Sequence, residues 1–173
     1  MVKFVENELL SIRKEIRDMW TLVYEQLDNA YKSLLETDIE LAAQVAAREK
    51  RVNAFELKID SDIEDFIALY NPVAVDLRFS LAMLKINNNL ERIGDYADSI
   101  ARFVVRTEPQ PTDRELFERL KLREMYETAL NMLKTTMESL EMQDIAKAKS
   151  VFEIDETLDN INDNAIRLAR PSS

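Results

Sequence analysis

Asn87-Asn88-Asn89-Leu90-Glu91-Arg92-Ile93-Gly94-Asp95-Tyr96-Ala97-Asp98 contains the only glycine of the chain and reads as two stripes on one helix. Working outward, Phe79, Met83, Ile86, Leu90, Ile93, Ala97, Ile100 and Val104 recur at alternating spacings of four and three, the period of an apolar helix seam. Turned by about 100° from that seam, Asn88, Glu91, Asp95 and Asp98 repeat at the same spacing and stack side-chain oxygens in a row. Gly94 lies beside that row, where the missing Cβ leaves room for something to approach closely.

The rest of the chain agrees with a helical reading. Its 173 residues suffice for one domain or two small, closely packed units. Hydrophobic residues make up 46% and charged residues 32%, a globular rather than a disordered balance. One glycine and four prolines leave few turns, so long helices joined by few loops are expected. The absence of cysteine excludes disulfides, thiolate metal sites and cysteine nucleophiles. The absence of histidine removes imidazole ligands, serine–histidine catalysis and the Glu-x-x-His pairs of di-iron bundles. A net charge of −10 repels nucleic acid and anionic lipid and favours cations or basic protein surfaces as partners. No apolar run approaches the roughly 20 residues of a membrane span, and the N-terminus lacks a signal-peptide apolar core. A soluble cytoplasmic protein is expected.

Five helices are predicted. The first runs from about Asn7 to Glu36, with Ile12, Ile16, Met19, Val23, Leu27, Ala30 and Leu34 inward. Thr37-Asp38-Ile39-Glu40 reads as a capping box with Thr37 as N-cap. The second helix follows to about Tyr70, with Val45, Val52, Phe55, Ile59, Ile63, Phe66 and Tyr70 inward. Asn71 is expected to cap a third helix that starts at Pro72 and runs to about Arg106. Thr107-Glu108-Pro109-Gln110-Pro111 reads as a linker, and Thr112-Asp113-Arg114-Glu115 as a second capping box. A fourth helix to about Met142 and a fifth from Asp144 to about Arg170 complete the set.

Helices four and five repeat helices one and two. Met19 aligns with Met125, Trp20 with Tyr126, Leu27 with Leu133, Leu34 with Leu140, and Asp38-Ile39 with Asp144-Ile145. In the same alignment Glu49 falls on Asp155 and Asn53 on Asp159. The counterpart of helix three would begin beyond Ser173, so the second repeat is expected to lack it and to bury its open face on the first three helices or on another subunit.

Helices two and three join at Asn71 too tightly to be anything but antiparallel neighbours. Glu49 and Ile93 lie equally far from that turn, so Glu49 and Asn53 stand level with Glu91, Gly94 and Asp95. Oxygen ligands on two facing helices suit a hard cation: magnesium, manganese, calcium or iron. With 33 acidic residues the chain also acquires i,i+4 acid pairs on solvated faces by chance, so a metal-free acidic surface is the competing reading. Trp20 and the methionines read as core, and Arg92 and Arg102 as partners of neighbouring acids. Arg78, near the start of helix three, is placed to hold a carboxylate or phosphate, but reads better as one half of a structural ion pair. No Gly-rich phosphate loop, nucleophile elbow or metalloprotease motif is present.

Pro72-Val73-Ala74-Val75-Asp76-Leu77-Arg78, then Lys85-Ile86, then Asn89-Leu90-Glu91-Arg92-Ile93-Gly94-Asp95 resemble the third-helix signature of the PhoU family of phosphate-transport accessory proteins. The resemblance implies an all-α fold of tandem three-helix-bundle repeats. Residues 1–106 would be the first repeat, 107–112 a linker, and 113–173 a partial second repeat of two helices, five long helices in all. It implies a cytoplasmic regulator, not an enzyme, that associates with a phosphate ABC importer and a sensor histidine kinase and keeps phosphate-starvation signalling off when phosphate is plentiful. Several family members bind metal ions or multinuclear clusters through Glu/Asp-x-x-x-Asp motifs. Glu91-x-x-x-Asp95 matches that motif, Asp155-x-x-x-Asp159 matches its helix-two form, and Glu49-x-x-x-Asn53 matches with an amide in place of an acid. Tyr96 stands where the family commonly has histidine, and Asp98 where it usually has asparagine. The resemblance leaves the family's sixth helix without a counterpart in residues 113–173.

The expectation is therefore a metal-binding adaptor, homodimeric or larger, with no nucleic acid and no membrane insertion. Its candidate ligands for divalent or trivalent ions are Glu49, Asn53, Glu91, Asp95, Asp98, Asp155 and Asp159. The alternatives are a metal-free helical scaffold or oligomerisation module, and a carboxylate–metal hydrolase using the stripe to activate water.

Overall fold

The computed structural model describes residues 2–107 and, further along, residues 121, 123, 124, 126–128, 130, 131, 133, 134 and 137. Three long helices form an antiparallel bundle: α1 (Val2–Glu36), α2 (Ile39–Tyr70) and α3 (Ala74–Thr107). The later described residues are also helical, and no strand occurs among the described residues. None of the described helices is long and apolar enough to cross a membrane.

The seam residues that the sequence assigned to α1 and α3 are all buried. On α2, Val45, Val52, Ile59, Ile63 and Phe66 are buried, whereas Phe55 and Tyr70 are only partly covered and pack on the rim of the core. α1 begins earlier than Asn7 because Val5 and Leu9 also pack against the core, which makes continuation of the helix favourable. Trp20, Met19 and Met83 are core residues, as their helical spacing indicated.

Both turns differ from their predicted chemistry. Thr37 is not an N-cap. It adopts a left-handed φ of 51°, and the N–H of Asp38 donates to Ser33 O at 2.9 Å, which closes α1 in a Schellman-type turn. Asp38 is the N-cap of α2, its side chain accepting from Leu41 N at 3.0 Å. Asn71 likewise serves the helix before it. At φ 43° and ψ 60° it ends α2, donating its N–H to Ile67 O, and α3 starts only at Ala74. Asparagine tolerates the left-handed region, so the residue read as a start signal acts as a stop signal. Thr107 belongs to α3, and its hydroxyl donates to Phe103 O. The rest of the predicted linker, the second capping box and the fifth helix lie outside the described residues.

Buried amides lock the register. Gln26 Nε2 donates to Val45 O at 2.8 Å, tying α1 to α2. Asn87 Nδ2 donates to Glu56 O at 3.0 Å, tying α3 to α2. A buried polar group without a partner is costly, so a one-turn slip that broke either bond would be penalised. The helical stretch within 121–137 lies on α1. Tyr126 stacks on Tyr31 with ring centroids 3.7 Å apart, and its hydroxyl donates to Asp28. Leu133 is fully buried, and Leu130 and Met137 pack against the same core. Trp20 and Tyr126, paired by the internal repeat, are thus both core, as are Leu27 and Leu133.

Candidate metal centre

Gly94 explains how two long helices bring their acids together. A Cβ placed there would meet Val52 Cγ1 at 2.8 Å, closer than side chains tolerate. The space beside the glycine is therefore taken by α2 itself, not by a ligand. Its consequence is a tight α2–α3 crossing just where Glu49 faces Glu91 and Asp95. One carboxylate oxygen from each of these three residues lies within 4.8 Å of the others.

Glu49 is the unusual member. It is 8% exposed, and neither of its carboxylate oxygens has a hydrogen-bond partner. Burial, contact with Asp95, and the charges of Asp95, Asp98 and Glu91 together push its pKa up to about 8. Glu91, half-buried, is pushed up to about 7 by burial, by Asp95 and by the charge of Glu56, against a lowering influence from Arg92. Asp95 thus stands between two glutamates as a neighbour that can satisfy either only when a proton is shared. A buried carboxylate with four unused lone-pair directions, aimed at two more carboxylates, is the donor set of a hard cation. The residues fit such an ion on this observation.

The other candidates are placed differently. Asp98 flanks the cluster on the Glu49 side. Its Oδ2 accepts from Arg102 Nε at 2.8 Å, and its Oδ1 is buried without a partner. Asn53 and Asn88 are exposed, as is Asp95. Arg92 is exposed near Glu91. Arg78 forms no ion pair among the described residues and donates instead to Ala74 O. Asp155 and Asp159 lie outside the described residues. Sequence reasoning missed the buried Asn87 and Asn89 and the half-buried Glu56. The signal for Asn87 was an amide next to the apolar seam at Ile86, a position that favours an interhelical bond.

The fold and site define a class: an all-helical bundle protein with an acidic cluster on the face between its second and third helices. Comparison with known proteins narrows that class. The PhoU domain profile matches residues 16–104 and 122–170. An Aquifex aeolicus protein named phosphate-specific transport system accessory protein PhoU homolog is 32% identical over 155 residues, covering 90% of this chain and 69% of that protein. The Escherichia coli phosphate-specific transport system accessory protein PhoU is 31% identical over 160 residues, covering 92% and 65% respectively. The chain therefore spans about two thirds of the length of these relatives. In fold it is similar to the crystal structure of PhoU from Pseudomonas aeruginosa, with a TM-score of 0.71, 23% identity, and coverage of 95% of this chain and 94% of that one. The chain belongs to the PhoU family.

Proposed function

We propose that this protein is an accessory regulator of phosphate uptake and phosphate-starvation signalling that acts by binding rather than by bond chemistry. The reading draws on its kinship with accessory proteins of phosphate-specific transport systems. In it, the chain works in the cytoplasm and links a phosphate ABC importer to a sensor histidine kinase, shifting the balance of states in its partners. The acidic surface, at a net charge of −10, complements basic patches on such partners. Glu49, Glu91 and Asp95 would hold a divalent or trivalent oxygen-seeking cation, with Asp98 on the flank. The unpartnered, buried carboxylate of Glu49 is the observation that carries this part. The ion would supply positive charge to a face that is otherwise acidic and bind α2 to α3.

Pull-down of the importer's ATPase subunit and of the kinase cytoplasmic region by the purified chain tests the adaptor role. Capture of both is expected, with a stronger signal in the presence of Mn2+. Failure to capture either, with and without the ion, overturns it. A second reading has its own support: protons shared between Asp95 and the two raised glutamates could satisfy the cluster without an ion, leaving a metal-free scaffold. Elemental analysis of the purified chain against Asp95→Ala separates the two.

A further inference from the structure

We propose that the end of the bundle formed by Phe4, Leu69, Val73 and Val75 docks a partner protein that presents an apolar groove rimmed by lysine and arginine. This gives the adaptor reading above its contact surface and rests on that reading. Leu69 is 76%, Val73 71% and Phe4 66% exposed, and Val75 is exposed with them. They stand at one end of the molecule. Lys58 of α2 meets Glu15 of α1, and equal steps from that pair along the two antiparallel helices lead to Leu69 and Phe4. Val73 and Val75 follow Leu69 directly through the α2–α3 turn.

Folding does not need these side chains. Beneath them Val5, Ile67 and Tyr70 already pack against the core. Apolar side chains gathered at one surface and rimmed by polar residues mark an interaction site more than a structural one. The turn that carries them is also rigid. Asn71 donates its N–H to Ile67 O at 3.2 Å, and the N–H of Leu77 donates to Val73 O at 2.8 Å. Little ordering is left to be done on binding.

Charge selects the occupant. Glu6, Glu8, Glu64, Asp65 and Asp76 lie around this end. Only Lys3 and Arg78 oppose them there. A second copy would bring the same acidic excess face to face across a two-fold axis. An anionic bilayer would meet the acids with its own negative charge. A protein surface with an apolar centre and a basic rim complements both parts, the usual anatomy of a specific interface.

The test is biolayer interferometry of the full chain against the importer's ATPase subunit and the kinase cytoplasmic region. Leu69→Gln/Val73→Ser should weaken binding of at least one of them by about tenfold or more. Leu57→Gln, at a side chain that is also 66% exposed but lies midway along α2, should change it by less than about twofold. Glu64→Gln/Asp65→Asn should weaken the same complex and flatten its salt dependence. The tip variant should melt as wild type does, because both side chains lie outside the core. Should it melt lower, Val73→Ser alone takes its place, since serine is a favoured residue at a helix start. Unchanged binding by the tip variant overturns the docking surface and leaves the adaptor reading standing. Wild-type chain that binds neither probe overturns the adaptor reading itself. A wild-type dimer that the tip variant dissociates in sedimentation assigns this end to a second copy and overturns the proposal. Wild-type binding to phosphatidylglycerol vesicles that the tip variant loses assigns it to a membrane, with the same result.

Discussion

Two acidic clusters on α2 use similar ingredients and end in opposite states. Near one end of the bundle, Glu15 of α1 and Asp62 of α2 are bridged by Lys58, whose Nζ lies 2.8 Å from Glu15 Oε1 and 2.7 Å from Asp62 Oδ2. Near the other end, Glu49, Glu91 and Asp95 converge, and Glu49 has no donor at all. The first cluster carries its cation on its own chain. The second has a buried acid with a raised pKa and oxygens turned toward one another. The difference teaches how to tell a structural ion pair from a candidate ligand site. Acid count is similar, and what separates them is whether the chain supplies the positive charge.

The strongest way to break the comparison is Gly94→Ala. The added methyl meets Val52 at 2.8 Å and must push α3 from α2. Overpacking of this kind costs about 1–3 kcal/mol, which urea unfolding would register. Mn2+ affinity should fall with it, because the three carboxylates separate, while the Lys58 cluster on α1 and α2 is left intact. Trimming the opposing side chain in Gly94→Ala/Val52→Ala should recover part of the binding.

A second test uses pH. Glu49 and Glu91 have folded pKa values of about 8 and about 7, above the 4.5 of an ordinary glutamate. The folded chain therefore holds these protons more tightly than the unfolded chain does. Their stabilising contribution is full below about pH 4.5 and is lost as pH rises toward 8. Thermal melts of the metal-free chain should decline across that window, and Glu49→Gln should flatten much of the decline. A cation competes with those protons, so Mn2+ should raise the melting temperature more at pH 8 than at pH 5.5.

The smallest effect is expected at the internally neutralised cluster. Lys58→Met removes its cation and leaves Glu15 Oε2, already buried without a partner, beside an unpaired Asp62. Because Lys58 is largely exposed, the loss should be about 0.5–1 kcal/mol and should shrink in high salt. Mn2+ binding at the α2–α3 centre should be unchanged. A loss there would show that the two clusters are coupled.

Much of this was legible in the chain. The seams of α1 and α3 follow directly from apolar spacing, because a helix face is a local property of sequence. The level pairing of Glu49 with Glu91 and Asp95 followed from one tight turn and a constant rise per residue. The caps were less legible. Thr37 and Asn71 sit between two helices, and their residue types suit the end of one as well as the start of the next. Only backbone dihedrals decide between those roles. Burial was less legible: Glu49 is buried whereas Asn53 and Asp95 are exposed, since a pattern defines a stripe but not how two helices rotate against each other. Asp155 and Asp159 lie beyond the described residues.

The sequence by itself determined the helical class, the core seams, the acidic row and the lack of any histidine or cysteine that could compete for it. These depend on side-chain type and on a fixed helical period. Tertiary structure decided which acids meet. The contact of Val52 with Gly94 and the bond from Asn87 to Glu56 set the spacing and rotation of α2 on α3. That rotation buries Glu49 and brings its carboxylate to those of Glu91 and Asp95, because burial and proximity are properties of two packed surfaces and of neither helix alone.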